Sequence, residues 1–193
     1  MNLIERVKNM LLTPKTEWEV VSGESATAAS LLTSYVLPLA IVSAIGPVLG
    51  GFLFPILSMK FVLASAAVGL IVTIAVFYLS AYIVDMLAPS FGSVKDLNRS
   101  AQLVAYSSTP SYIAGLLSFI PILGGIIALG GWVYSIYVMF LGIGPMKKTL
   151  EDKKVVYLLV IYLVMIAIFF ILTAVLSAVL ITSLMGGIAA TAL

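Results

Sequence analysis

The fold of this chain depends on one short stretch, residues 105–112, which read AYSSTPSY. Six of these eight residues carry a hydroxyl group and one is a proline, yet long apolar runs lie on both sides. If the stretch crosses a membrane, the chain has five spans, and if it lies outside, the chain has four. Composition and the distribution of charge decide between the two.

The overall composition identifies a membrane protein. Of the 193 residues, 62% are hydrophobic and 9% are charged, and the mean hydropathy is +1.22. Such a chain fits an integral membrane protein with one membrane domain, because no soluble domain of about 100 residues can be separated from it. Cysteine and histidine are absent, which excludes disulfides and thiolate or imidazole metal sites. The net charge of +2 is too small to favour nucleic acid, and we expect no cofactor.

The first residues have the pattern of a short amphipathic helix. Leu3, Val7 and Met10 recur at helical spacing, and charged and amide residues fill the other face. We therefore assign residues 1–27 to an interfacial amphipathic segment, with Trp18 as its anchor at the membrane interface.

The remaining membrane domain, residues 28–193, contains apolar runs that are long enough to cross a bilayer, since a span needs about 20 residues. These runs lie near 30–51, 61–86, 100–119, 122–143 and 155–183. The third run contains the polar stretch. The alternative is that this stretch closes a cytoplasmic amphipathic segment, which leaves a single span between Pro110 and Ile143.

The basic residues favour the five-span topology. With five spans and a cytoplasmic N-terminus, nine of the ten Lys and Arg residues are cytoplasmic and only Lys60 lies outside. With four spans, the group Lys147–Lys154 moves outside and the balance becomes five to five, which the positive-inside rule disfavours. The sequence therefore predicts an all-α protein with five transmembrane helices, a cytoplasmic N-terminus and an outer C-terminus, and it places AYSSTPSY inside the membrane.

A proline at this depth needs local compensation. Pro110 has no N–H and leaves carbonyl groups without a donor where water is absent. The hydroxyls of Ser107, Ser108 and Thr109 can supply a donor, so we predict a helix break and treat these residues with Tyr106 as a candidate polar site. Two interpretations stay open: a structural kink, and a broken-helix substrate site of the kind found in secondary transporters.

Asp85 is the acidic residue that lies inside the apolar sequence, near the predicted cytoplasmic end of the second span. Intramembrane carboxylates are functional candidates, but a short basic loop follows Asp85, and we expect an interfacial ion pair with Lys95 or Arg99. An aspartyl protease would need a second carboxylate at depth, and a serine hydrolase would need a base beside Ser107 or Ser108. The sequence offers neither.

Several short motifs resemble one known family. They are the amphipathic start with Pro14 and Trp18, AYSSTP at 105–110, IPILGG at 120–125, and a Tyr-containing fourth span that ends at Gly142. Over roughly Leu3 to Ser183 the chain resembles the Yip domain of the Ypt/Rab-interacting membrane proteins.

The resemblance implies a non-enzymatic, polytopic membrane protein. Eukaryotic relatives act in traffic between the endoplasmic reticulum and the Golgi, and they bind small GTPases and one another. This chain lacks their Asp-Leu-Tyr-Gly-Pro motif and their long cytosolic N-terminal region, so GTPase binding does not carry over to it. Its compact form resembles prokaryotic members, which implies a plasma membrane, the bacterial or archaeal inner membrane.

Two functions follow as alternatives. The first is membrane organisation or an adaptor role, with the lipid bilayer as partner and with protein partners or a homo-oligomer left open. The second is transport of an ion or small solute through the broken third span. A polar cavity that reaches residues 106–111 would favour transport, whereas a sealed bundle would favour the first function.

Overall fold

The computed structural model describes residues 2–56, 58–168 and 170–171, and every regular element within these residues is helical. This confirms the all-α class for the described part of the chain. The helices are α1 (Leu3–Leu12), α2 (Pro14–Ser22), α3 (Ala28–Leu31), α4 (Leu37–Leu53), α5 (Met59–Leu87), α6 (Leu97–Ser107), α7 (Thr109–Leu116), α8 (Leu123–Lys147) and α9 (151–168). A π-helical turn joins α3 to α4, and 3-10 turns follow α5 and α7.

Three helical stretches within the described residues are long and apolar enough to cross a membrane: Ala28–Leu53, Met59–Phe91 and Leu123–Lys147. They coincide with the predicted first, second and fourth spans, and they identify an integral membrane protein. The predicted third span is divided between α6 and α7, and neither helix is long enough to span alone. Much of the predicted fifth span, residues 172–183, lies outside the described residues. The count of five therefore stays a prediction.

Helix α6 lies at the centre of the bundle, where every residue from Ser100 to Ser107 is buried. It packs between α5 and α8, while α7 packs between α4 and α8. Glycine allows α4 and α7 to approach at backbone distance, because a Cβ at Gly46 would lie 2.2 Å from the carbonyl oxygen of Gly115. Helix α6, which carries the first part of the polar stretch, is thus the most enclosed helix of the described bundle.

The N-terminal helices form a hairpin, α1–α2, that is docked on the bundle. Pro14 begins α2, where its missing N–H costs no hydrogen bond. Met10 and Val21 are fully buried, whereas Ile4 is 73% exposed. Leu3 and Val7 are partly buried against the core, and the buried face of α1 also includes Arg6, so this helix buries a charge beside its apolar stripe.

Two loops meet at the end of the bundle where α6 begins and α8 ends. The N–H of Val94 donates to the carbonyl of Lys147 at 2.8 Å, and the hydroxyls of Ser93 and Thr149 are 2.7 Å apart. Gly92 ends the preceding turn with a φ of 66°, a conformation that glycine adopts without strain. These contacts fix the start of α6 beside the last turn of α8.

Candidate functional site

The helix of the predicted third span ends at Ser107 and restarts at Thr109. Ser108 lies between them with φ −78° and ψ −5°, and α7 begins without a side-chain cap. The serine hydroxyls point back along α6 instead, because Ser107 and Ser108 donate to the carbonyl of Val104 at 3.2 and 2.8 Å. Pro110 falls in the first turn of α7, a position where proline is tolerated.

Thr109 supplies the donor that Pro110 removes. In a continuous helix the N–H of residue 110 would bond to the carbonyl of Tyr106, but proline has no N–H. The Thr109 hydroxyl oxygen lies 2.6 Å from that carbonyl oxygen and 2.6 Å from the hydroxyl of Tyr35. A hydroxyl carries one proton, so Thr109 donates to the carbonyl and accepts from Tyr35. The break is thus compensated inside the protein.

Tyr106 and Trp18 belong to a buried aromatic cluster. The Tyr106 ring makes edge contacts with Tyr35 and Trp18, with centroids 4.8 and 6.2 Å apart. Trp18 is fully buried and its indole N–H donates to the carbonyl of Val138 at 2.8 Å. Gly142 makes room for the indole, since a Cβ there would lie 2.5 Å from the ring. The prediction that Trp18 anchors the chain at the membrane interface is wrong, because its ring instead holds α2 against α8.

A charged group lies beside this aromatic cluster. Arg6 is buried and donates to Glu17 at 2.5 Å and to Glu24, and its guanidinium carbon lies 5.1 Å from the ring centroid of Tyr106. Burial lowers the pKa of Arg6, but the hydrogen bond to Glu24 and nearby negative charge raise it by more, so the net shift is upward. We call Arg6, Glu17, Glu24 and Tyr106 the hairpin cluster, and it holds α1, α2 and α6 together through charge-assisted hydrogen bonds and a cation–π contact.

Asp85 pairs with Lys147 and not with Lys95 or Arg99, so that part of the prediction is wrong. The Lys147 ammonium is fully buried and donates to Asp85 at 3.1 Å, to Ser100 at 2.6 Å and to a backbone carbonyl at 3.2 Å. The physical reason is direction: Asp85 faces α8 across the bundle, whereas Arg99 points to α2. There Arg99 donates to the last carbonyls of that helix, at 2.8 and 3.5 Å.

The close contact between Ser100 and Lys147 resembles a serine–lysine nucleophile pair, but its hydrogen bonds fit a different role. An ammonium has three N–H donors and no acceptor, and the three oxygens around Lys147 use all three donors. The Ser100 hydroxyl in turn donates to Asp85 or to the carbonyl of Asp96. Neither of the two cavities described below is lined by Ser100. We interpret this group, Asp85, Ser100 and Lys147, as a structural ammonium cluster.

Two apolar cavities accompany these polar groups. One, of about 850 Å³, lies between α4 and α5, and the other, of about 540 Å³, lies between α5, α8 and α9. Neither cavity is lined by a residue from Tyr106 to Ser111. Among the described residues, no group of His, Cys, Asp and Glu has the arrangement of a metal site.

Comparison with known proteins identifies the family. The Yip1 domain matches this chain over residues 8–175, a region that includes the helix break, the structural ammonium cluster and all three long apolar helices.

The chain belongs to the Yip1 domain family.

The predicted family is thereby confirmed. No curated protein matches this chain, and no solved structure does.

Sequence reasoning missed the burial of two charged residues, Arg6 and Lys147. Both were assigned to solvated cytoplasmic surfaces because they stand beside other charged residues. Lys147 has one local signal: it follows the buried residues Ile143 and Met146 at helical spacing, on the inward face of α8. Arg6 has no such signal, since its partner Glu24 is 18 positions away.

Proposed function

We propose that this Yip1-domain protein organises the membrane without catalysing a reaction. It crosses the bilayer five times and presents its docked α1–α2 hairpin on the cytoplasmic side of a plasma membrane. The observation that carries the proposal is the internal pairing of the polar groups at the helix break. Ser107 and Ser108 donate to the carbonyl of Val104 and Thr109 donates to that of Tyr106, so the three hydroxyl protons are used inside the protein, and neither described cavity reaches these residues.

The serine hydroxyls that follow the break, on α7 and the facing part of α8, are also paired inside the protein. Ser111 and Ser135 are 2.8 Å apart, and the backbone N–H of Ser111 donates to the same Ser135 hydroxyl at 3.2 Å. A transport site at bilayer depth needs groups that face a cavity, whereas these face one another across α7 and α8. This arrangement supports a sealed bundle over a small transporter or channel.

The position of the hairpin supports a role in membrane shape. Trp18 and Arg99 fix α2 beside the end of the bundle where α6 begins and α8 ends. Within the described residues, α1 and α2 thus add width to this half of the bundle, with contacts that reach Tyr134 near the middle of α8. A protein that is wider in one leaflet than in the other favours bilayer curvature, and the hairpin cluster makes this width a fixed property of the fold.

Reconstitution in lipid vesicles tests the proposal. Wild-type protein is expected to leave the flux of ions and small dyes at the level of protein-free vesicles, and to decrease vesicle diameter in cryo-electron micrographs as the protein-to-lipid ratio rises. Arg6→Gln, which disconnects the hairpin cluster, is expected to weaken the effect on diameter.

Lys8→Gln is the matched control, because Lys8 is exposed on the same helix and its replacement removes the same charge. Wild-type flux above the protein-free level together with unchanged vesicle diameter would reject membrane organisation and favour transport.

A further inference from the structure

The cavity between α4 and α5 is a long groove with short side chains on both walls. It extends along α5 from Phe61 to Thr73, about 18 Å at the rise of an α-helix. The turn after α7 closes one end of it. The short residues that line it include Ala40, Ala44 and Gly51 on α4 and Ser65, Ala66 and Gly69 on α5.

The position and lining of the groove select among occupants. Its volume is about 850 Å³, its lining is mostly apolar, and α4 and α5 both belong to stretches that are long and apolar enough to cross a bilayer. Lipids surround such a groove in a bilayer, and their thin and flexible acyl chains can enter it. The groove also runs parallel to α5, which is the direction of the acyl chains of a bilayer that α5 crosses.

One polar group on the groove wall is left without a partner. Ser65 lines the groove and is exposed, and no described residue forms a hydrogen bond with its hydroxyl. Thr73, deeper in the same wall, is satisfied by the carbonyl of Gly69 at 2.9 Å. Ser65 lies six residues, about 9 Å, from the start of α5 at Met59. A donor near the helix end matches the level of the polar interface, where lipid ester groups begin.

We propose that the groove binds one diacyl glycerolipid of the surrounding bilayer. Its acyl chains lie along α5 beside Gly69, and an ester carbonyl oxygen accepts a hydrogen bond from the Ser65 hydroxyl. This site is independent of the hairpin cluster and goes beyond the proposed role in membrane shape.

Two glycines provide a matched pair of variants. A Cβ at Gly69 or at Gly130 would meet no atom within 4 Å, so both positions accept a side chain. Gly69 lines the groove, while Gly130 lies in α8 and lines neither described cavity. Gly69→Phe therefore fills the groove, and Gly130→Phe adds the same ring to another apolar helix. Gly69→Leu serves as a smaller replacement if the phenylalanine variant does not fold.

The experiment is native mass spectrometry of protein released from palmitoyl-oleoyl phosphatidylcholine vesicles in mild detergent. Wild type and Gly130→Phe are expected to retain one lipid molecule. Gly69→Phe is expected to lower the retained fraction several-fold relative to Gly130→Phe, because its ring occupies the space of the acyl chains in the groove. Ser65→Ala is expected to lower it less, since only one hydrogen bond is lost.

Three results would overturn the proposal. Wild type without retained lipid would do so, as would equal retention in wild type and in a folded Gly69→Phe protein. A wild-type dimer that Gly69→Phe dissociates would place a second copy of the chain at the groove and would also overturn it. Vesicle diameter is not a readout here, so failure of this site is distinguishable from failure of the proposed function.

Discussion

The Lys147 ammonium is removed from water, and its neighbours determine the free energy that this removal costs. The side chain is fully buried, and the Asp85 side chain is only 10% exposed. Removing two charges from water costs several kcal/mol per ion, which their mutual attraction and additional hydrogen bonds must offset. Here Ser100 supplies one of those hydrogen bonds, so the cluster forms a complete unit that joins α5, α6 and α8.

Breaking this pair from one side is expected to destabilise the protein strongly. Asp85→Asn leaves a buried ammonium without its counter-charge, and such a change costs about 3–5 kcal/mol. The double variant Asp85→Asn with Lys147→Met removes both charges and is expected to recover most of that loss. The measurement is a double-mutant cycle on the unfolding free energy in detergent.

The control for this cycle is Lys95→Met, because Lys95 is exposed and no described carboxylate pairs with it. We expect a change within about 0.5 kcal/mol for this variant. If Asp85→Asn were as mild as the Lys95 variant, the pair would be solvated and the cluster would not hold the three helices together.

At the scale of one helix, the three hydroxyls at the break have unequal importance. Ser107 and Ser108 donate to the Val104 carbonyl, which also accepts the backbone N–H of Ser108 at 3.2 Å. That carbonyl stays paired when both serines are replaced. The Tyr106 carbonyl accepts from the Thr109 hydroxyl at 2.6 Å and otherwise only shares the Ser108 N–H with Val104, because Pro110 has no N–H to offer.

We therefore expect Thr109→Val to destabilise the protein more than the double change of Ser107 and Ser108 to alanine. The alanine variant is expected to lose about 0.6 kcal/mol per hydrogen bond, the average inside membranes. Thr109→Val leaves the buried Tyr106 carbonyl with only the N–H that Ser108 shares with Val104, at a cost of about 1–3 kcal/mol. Adding Pro110→Ala returns an N–H to that carbonyl and is expected to recover part of the loss. Thermal unfolding in detergent compares the variants, and equal effects would contradict the assignment of the donor.

The positions of the long helices and of the helix break could be predicted from the sequence, whereas the partners of individual side chains could not. The three long helices follow from the lengths of apolar runs, and the discontinuity at Ser108 coincides with a proline surrounded by hydroxyls, so both depend on near neighbours. The partners of Asp85 and Trp18 are 62 and 120 residues away. Such pairs depend on how each helix is rotated in the bundle, and a single sequence does not specify those rotations.

At the scale of the whole molecule, contacts at three levels show that α6 and α7 follow α8 along its length in the opposite direction. Ser100 meets Lys147 at one end, and Ser111 meets Ser135 near the middle, at 2.6 and 2.8 Å. At the other end, a Cβ at Gly124 would lie 2.6 Å from the Ser118 carbonyl oxygen. Since α8 is long enough to cross a bilayer, the pair α6–α7 beside it covers the same depth. This juxtaposition supports a broken third span.

Cysteine labelling tests that topology directly, because the native chain contains no cysteine. Five spans place Lys95 and Ile122 on opposite sides of the membrane. The four-span alternative keeps Lys95 cytoplasmic and places Ile122 inside its single span or at the cytoplasmic end of that span, so Ile122 is not exposed outside. Both residues are exposed, Ile122 by 87%, so Lys95→Cys and Ile122→Cys should react with a maleimide that does not cross membranes. In intact cells we expect labelling of Ile122→Cys alone. In inverted vesicles we expect labelling of Lys95→Cys and no labelling of Ile122→Cys. Lys8→Cys, on the α1–α2 hairpin, is the control for the cytoplasmic side and is expected to be labelled there too. Labelling of both loop positions from the same side would reject the five-span topology, because the helix break would then not cross the membrane.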